Sequence, residues 1–179
     1  GVMSGEPLRY DTETKQRRAS DPRASAFVAA NAGSGKTHVL VTRILRLLVD
    51  GVDPAKILAL TYTTAAAANM SNRVFRRLAH WVTLDDDALS KELFTLDQQE
   101  ATPDRLKKAR RLFARAVETP GGLKIQTIHA FCERVLHLFP FEANVAARFE
   151  VLDDKGVADR LAKAKHAVLE RSNQQNPRL

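Results

Sequence analysis

The chain has 179 residues, of which 44% are hydrophobic and 27% charged, the balance of an ordinary soluble globular protein. No apolar run approaches the roughly 20 residues of a membrane-spanning helix, so we expect no membrane partner. The polar N-terminus lacks the apolar stretch of a signal peptide, and one cysteine fits a reducing compartment, so we expect a cytoplasmic location. The single cysteine excludes an internal disulfide. The formal net charge of +7 makes nucleic acid a candidate partner, although charge alone does not identify one.

The first part of the chain reads as a helix, a strand, a glycine-rich loop and a second helix. Gly1 and Val2 precede Met3, and we interpret residues 1–11 as an added remnant followed by an N-terminal tail. Residues 12–20 are polar and compatible with a helix, and 26–30 form a short apolar run that predicts a buried strand. After the loop, an apolar helix should continue to a stop at Gly51.

The rest of the chain alternates in the same way. A second buried strand is predicted at 56–62, followed by a helix at 64–82 with Met70, Val74, Leu78 and Trp81 on its inward face. A helical insertion at about 84–122 carries a basic helix with Lys107, Lys108, Arg111 and Arg115 outward. A third strand at 123–126, a helix at 128–139 and a last helix to about residue 172 follow. This order predicts an α/β fold with a parallel sheet, flanking helices and a helical insertion.

The loop at 30–37 has the spacing of a phosphate-binding loop. It fits G-x-x-x-x-G-K-[ST], except that Ala30 takes the first glycine position. Gly33 and Gly35 would let backbone N–H groups face a polyphosphate, and the following helix would add its positive end. Lys36 would reach the β- and γ-phosphates and the Thr37 hydroxyl would ligate Mg²⁺. The plainer alternative is a glycine loop with a surface lysine. The predicted ATP–Mg²⁺ site comprises Asn31, Ala32, Gly33, Ser34, Gly35, Lys36, Thr37 and His38.

With alanine at that position, the stretch AANAGSGKT resembles motif I of the UvrD/Rep-type superfamily 1 helicases. Residues 14–19 (TKQRRA) resemble the Q motif of that family, which implies that Gln16 reads the adenine edge. Arg43 matches an arginine that the family places near the nucleotide, and a surface role for it stays open. The resemblance implies a RecA-like P-loop fold, with an ATP-binding domain 1A, in part, at 12–140. Residues 141–179 would begin a helical subdomain.

Residues 60–70 (LTYTTAAAANM) with Arg73 resemble motif Ia, a segment that grips DNA in this family. The resemblance implies DNA contacts from Thr61, Tyr62, Thr63 and Arg73, with hydroxyls on phosphates and the tyrosine ring on a base. Neither Thr64 nor Ala65 is the lysine common at this point, and Asn69 replaces the usual glutamate, which puts one phosphate contact in doubt. The structural alternative is a strand end followed by an alanine-rich packed helix.

Residues 127–132 (TIHAFC) are similar to motif Ib, which implies DNA contacts from Thr127, His129 and Phe131. His129 and Cys132 taken alone would suggest a nucleophile or half a metal site. Their three-residue spacing, with no further ligand, argues against both. A buried Cys132 is the better expectation.

Four stretches, at 30–37, 60–70, 109–136 and 149–154 (FEVLDD), resemble the AddA subunits of bacterial AddAB helicase–nucleases. This implies single- and double-stranded DNA as ligands, an AddB-like nuclease partner, and a bacterial, nucleoid-associated ATP-dependent 3′–5′ helicase in double-strand-break repair. Leu152-Asp153-Asp154 follows too short and polar a run to be the acidic metal-binding strand, so we expect an N-terminal fragment without hydrolysis. Two alternatives stay open: a stand-alone small P-loop nucleotide kinase or ATPase, and a nucleic-acid-binding module with a vestigial loop.

Overall fold

A computed structural model of the chain describes residues 6–29, 31, 33, 35–146 and 148–175. The chain divides into two compact units, Gly1–Ile128 and His129–Leu179. The helices are α1 (Glu6–Ala19), α2 (Lys36–Val49), α3 (Thr64–Thr83), α4 (Asp86–Asp97), α5 (Pro103–Glu118), α6 (Ile128–Leu138) and α7 (Asp154–Gln175). The strands are β1 (Leu58–Thr61) and β2 (Lys124–Thr127).

The two strands pair in parallel, with Leu58 opposite Lys124 and Thr61 opposite Thr127. Helices α3, α4 and α5 form the connection between them, as parallel strands require a long crossover. The predicted parallel sheet and the helical excursion between its second and third predicted strands are therefore confirmed. The larger RecA-like sheet stays a prediction, since the described residues form a sheet of two strands.

The strand predicted at 26–30 is wrong for its described part. Residues 25–29 are irregular, and the side chain of Phe27 is 96% exposed. Five apolar residues without alternation do not determine a strand by themselves, because a strand forms only where a neighbour supplies hydrogen bonds. No such neighbour pairs with these residues in the described part of the chain.

Helix α2 begins and ends at glycines. Gly35 is the N-cap with φ of 92°, and the helix stops where Gly51 adopts φ of 90°. The Gly51 N–H donates to the Leu48 carbonyl and the Val52 N–H to the Leu47 carbonyl, each at 3.0 Å. This pair of bonds is the Schellman arrangement, which needs the left-handed conformation that glycine adopts without steric cost. The predicted stop at Gly51 is confirmed.

The core of the first unit lies where one face of α3 meets α2, α4 and α5. The four predicted inward residues of α3, Met70, Val74, Leu78 and Trp81, are all buried. They pack with residues of the other helices, among them Leu48, Leu89, Leu93, Ala109, Leu112 and Ala116. Thr63, Asp85 and Thr102 cap α3, α4 and α5 by accepting hydrogen bonds from first-turn N–H groups. The basic residues predicted to face outward from α5 are exposed, as expected.

Trp81 should carry a large part of this core's stability. Its side chain is fully buried, so Trp81→Ala should lower the free energy of unfolding by about 3–5 kcal/mol through lost packing and a residual cavity. The neighbouring Val82 is 47% exposed, and Val82→Ala is the matched control with an expected effect of about 0.5 kcal/mol or less. Urea unfolding followed by circular dichroism measures both. Equal effects would contradict the packing described here.

The second unit contains α7 and nearly all of α6. In it the rings of His137 and Phe149 stack with centroids 4.3 Å apart. Cys132 is exposed, so the expectation of a buried cysteine is wrong, because α6 has no fully buried residue. Residues 149–153 form no strand, which confirms that Asp153 and Asp154 do not follow a strand of a parallel sheet.

Candidate functional site

The glycine-rich loop leads into α2 with left-handed backbone at Gly33 (φ 81°) and Gly35 (φ 92°). The Val39 N–H donates to the Gly35 carbonyl at 3.0 Å, so the helix starts directly after this glycine. Among the described residues, no side chain caps this helix end. The start of α2 can therefore offer backbone N–H donors to a ligand, and the positive helix end favours an anion there. Ala32 and Ser34, both predicted for the ATP site, lie outside the described residues.

Lys36 and Thr37 occupy the first two positions of α2. Lys36 is exposed, and its Nζ donates to the Asn31 carbonyl at 2.7 Å. The ammonium group is therefore held across the loop, beside the backbone that would receive a polyphosphate. Thr37 is half-buried one residue further on. These residue types fit a nucleotide phosphate chain with Mg²⁺, since an ammonium, a hydroxyl and backbone amides meet at one helix end.

Gln16 lies directly against this loop. A Cβ placed on Gly35 would come within 2.8 Å of Gln16 Nε2, so a side chain at this position would make the Gln16 amide shift. Gln16 and His38 also line one cavity of about 370 Å³, together with Thr42 of α2 and Gln98 after α4. The fold thus brings together a glutamine and a phosphate-loop candidate that are about 20 residues apart in the chain.

Two arginines of α2 fasten the end of α1 to the loop helix. Arg43 donates from Nη1 to the Asp21 carbonyl at 2.6 Å and from Nη2 to the Ala24 carbonyl at 2.8 Å. Arg46 is buried, and its Nη1 donates to the Arg17 carbonyl at 3.0 Å and to Ser20 Oγ at 3.1 Å. Arg43 thus organises the backbone after α1. Arg46 holds the last turn of α1, which directly follows Gln16, against α2.

Arg46 was not among the predicted site residues. The available signal was its place between Leu45 and Leu47 in an apolar stretch of α2, where a buried arginine must find partners. Asp21 supplies one, with its carboxylate 3.7 Å from Arg46. The main influence on Asp21 is the hydrogen bond from the Arg23 side chain, which lowers the pKa of the Asp21 carboxyl below its ordinary value.

The ends of the two strands meet at the threonines predicted for DNA. Thr61 and Thr127 are paired in register. The Thr61 hydroxyl donates to the Thr63 carbonyl at 3.0 Å, and Thr63 Oγ1 accepts from the Ala66 N–H at 3.2 Å as the cap of α3. Tyr62 between them is 80% exposed. The arrangement presents an exposed aromatic ring beside the start of a helix.

Arg73 lies away from these strand ends. It is nine residues beyond Thr64, roughly 14 Å along the axis of α3 at 1.5 Å per residue. Its side chain lines a cleft of about 540 Å³ with His38 of α2. His38, which was predicted to bind ATP, and Arg73, which was predicted to bind DNA, therefore line the same cleft. His129 is exposed and Phe131 is half-buried, and both belong to the second unit.

In the described ranges, no group of three or more His, Cys, Asp or Glu side chains is placed to hold a metal ion. Within the same ranges, no helix combines the length and apolarity needed to cross a bilayer.

Comparison with known proteins gives a family for the chain. The model of the UvrD/REP helicase N-terminal domain matches residues 11–178. Relatives named as the AddA subunit of an ATP-dependent helicase/nuclease include one from Ligilactobacillus salivarius, 31% identical over 80% of this chain, and one from Enterococcus faecalis, 33% identical over 80%. Another, from Moorella thermoacetica, is 34% identical over 73% of the chain. The chain spans about 10% of the length of the first two relatives and 8% of the third. With a match over nearly its whole length, the chain belongs to the UvrD/Rep helicase family, in which it corresponds to the N-terminal domain.

Proposed function

We propose that this chain is the nucleotide-binding N-terminal portion of an ATP-dependent DNA helicase–nuclease, and that it binds ATP–Mg²⁺ and single-stranded DNA. The observation that carries the proposal is the close approach of Gln16 to Gly35 at the start of α2. This approach places the Gln16 amide, which can read a base edge, beside backbone N–H donors that can hold a phosphate chain. Family membership supports the same reading.

In the nucleotide site, backbone N–H groups from Gly33 to Thr37 would hold the phosphates, and Lys36 would exchange its bond with the Asn31 carbonyl for one with the β- and γ-phosphates. The amide of Gln16 would donate to and accept from the adenine edge. Thr37 Oγ1 would ligate Mg²⁺, which when bound neutralises charge on the phosphates. Arg46 would help to position Gln16, since it anchors the last turn of α1, and Arg43 would hold the backbone that follows this helix.

In the DNA site, Tyr62 would stack on a base and the first turn of α3 would receive a phosphate. Support comes from the exposure of the Tyr62 ring and from its place directly before α3, whose positive N-terminal end favours an anion. Base–aromatic stacking contributes about 1–3 kcal/mol per base and tolerates any sequence. The Thr61 and Thr63 hydroxyl oxygens already have protein partners, so their contribution would be to hold the backbone frame. Thr127, His129 and Phe131 are proposed as further DNA-binding residues on the family pattern.

We expect binding without turnover by this chain. Hydrolysis in P-loop motors needs acidic side chains at a strand end and an arginine finger. In the described part of the chain the two strands end at Thr61 and Thr127, and neither is followed by an acidic pair. Asp153 lies instead in an irregular stretch, and Asp154 begins α7. The stand-alone kinase alternative would need that pair on the metal, and nothing in the described geometry favours it.

For the parent protein we propose a 3′–5′ helicase with an associated nuclease, which works with an AddB-like nuclease partner in double-strand-break repair. The support is the name that the relatives share, which describes an ATP-dependent helicase/nuclease. A nucleic-acid module with a vestigial loop is the competing idea. It differs in one testable respect, because it predicts no response to nucleotide.

Two titrations test the proposal. Calorimetry measures the binding of ATP with Mg²⁺, and fluorescence anisotropy measures the binding of a labelled oligothymidylate. We expect saturable binding of both ligands and no phosphate release above background. A flat nucleotide titration with DNA binding intact would instead identify the vestigial-loop module. Release of phosphate that Lys36→Ala abolishes would contradict the expected lack of turnover.

A further inference from the structure

The cleft between α2 and α3 is lined mainly by cationic and imidazole side chains. Its volume is about 540 Å³, and Thr42 and three apolar residues complete its wall. The basic and imidazole side chains of the cleft are His38 from α2 and Arg73, Arg76, Arg77 and His80 from α3. We call this set the basic cleft.

The helix geometry places the four α3 residues on one face. Arg73, Arg76, Arg77 and His80 follow the spacing i, i+3, i+4, i+7. From Arg73 to His80 the helix rises by roughly 10 Å. Like charges at this spacing repel each other and destabilise a helix, so the arrangement disfavours the folded chain unless an anion compensates.

Protein carboxylates compensate only part of this charge. Arg77 forms an ion pair with Glu92 of α4 at 2.5 Å. Arg76 Nε donates to the Asn72 carbonyl, one turn earlier, at 3.3 Å, which leaves its charge unneutralised. Among the described residues, the side chain of Arg73 has neither an ion pair nor a hydrogen bond. Two guanidinium groups thus face the cleft without an acidic partner in the described part of the chain.

We propose that the basic cleft, which adjoins the predicted ATP site at His38, is a second phosphate-binding site, and that its ligand is the backbone of a nucleic-acid strand. Guanidinium groups bind phosphate oxygens in pairs, which suits a diester backbone. A stripe of roughly 10 Å spans at most about three consecutive phosphates of one strand, whereas a free nucleotide would be held by the loop. This inference rests on the proposed DNA binding, and it adds a binding surface beyond the strand ends.

The test compares Arg73→Gln/Arg76→Gln with Lys107→Gln/Arg111→Gln in the otherwise unchanged chain. The control pair removes the same charge from the exposed face of α5, outside the cleft. Affinity for an oligothymidylate of about 16 nucleotides is measured by fluorescence anisotropy at several salt concentrations. Thermal unfolding of every variant confirms an intact fold.

We expect the cleft pair to weaken DNA binding by at least about tenfold more than the control pair. The slope of log K against log salt should become shallower by about 0.7 for each phosphate that the cleft no longer neutralises. Arg73→Lys/Arg76→Lys should keep most of the slope and lose part of the affinity, because lysine retains the charge without the paired donors. Equal weakening by the cleft and control pairs would overturn the inference while leaving the proposed DNA binding intact.

A second arm identifies the source of the phosphate. In a Lys36→Ala background, binding of inorganic tripolyphosphate is measured with and without the cleft substitutions. An unchanged affinity for tripolyphosphate with weakened DNA binding supports a nucleic-acid strand. Loss of tripolyphosphate binding alone would assign the cleft to a free polyphosphate and overturn the nucleic-acid ligand. If the unsubstituted chain binds no DNA at all, the inference and the proposed DNA binding fail together.

Discussion

Lys36→Ala should weaken the binding of a non-hydrolysable ATP analogue with Mg²⁺ by roughly 30- to 150-fold. The lysine Nζ lies 2.7 Å from the Asn31 carbonyl, beside the loop backbone, where a charge-assisted bond to phosphate can replace a neutral one. Losing a hydrogen bond to a charged group costs about 2–3 kcal/mol, which corresponds to this change in Kd. Isothermal titration calorimetry at matched salt measures it.

The control for this substitution is Lys107→Ala. Lys107 is an exposed lysine on the outward face of α5, and its removal changes the net charge equally. We expect no more than a twofold effect, since the field of a distant surface charge is screened by salt within about 10 Å. If both variants lost affinity to the same extent, Lys36 would be acting through net charge alone.

The second large effect is expected at Gly35. Alanine there would disfavour the left-handed backbone by about 1–2 kcal/mol, so the unliganded loop would leave this conformation and nucleotide binding would have to restore it. The alanine Cβ would also displace the Gln16 amide, which lies 2.8 Å away. We expect Gly35→Ala to reduce nucleotide affinity by about five- to thirtyfold and to abolish any preference for ATP over GTP. The loss of preference follows because the displaced amide can no longer donate to and accept from adenine.

Gly33→Ala separates the two causes. Gly33 also has a positive φ, of 81°, but a Cβ there would have no heavy atom within 4 Å. This variant should share the backbone cost and keep the preference for ATP. Competition titrations with ATP and GTP give the ratio for each protein. The same ratio in both variants would rule out a role for Gln16 in base recognition.

The elements predicted well are those with strong hydrophobic periodicity. The face of α3 from Met70 to Trp81 repeats at helical spacing and is buried in the fold, so a local pattern and the tertiary structure agree. The apolar run at 26–30 has no periodic pattern of this kind. Its conformation depends on strand neighbours that are distant in the chain, and the described part of it is irregular.

The candidate site was predictable where backbone chemistry determines the residue type. Gly33 and Gly35 require positive φ, and both have it. The partnership of Gln16 with Gly35 could be expected only from the family resemblance, since it depends on how α1 packs on α2. The role of Arg46 depends on the same packing. For Arg73, the resemblance to motif Ia implied a DNA contact together with the strand-end residues, whereas its position along α3 places it in the basic cleft.

The central claim is that the backbone from Gly33 to Thr37 holds the phosphates of ATP. Amide hydrogen exchange of the chain, with and without the ATP analogue and Mg²⁺, tests this most directly. The account predicts protection of the amides of Gly33, Gly35, Lys36 and Thr37, with no change along α5. Saturating nucleotide that leaves these amides exchanging as before, or that protects other segments instead, would contradict it.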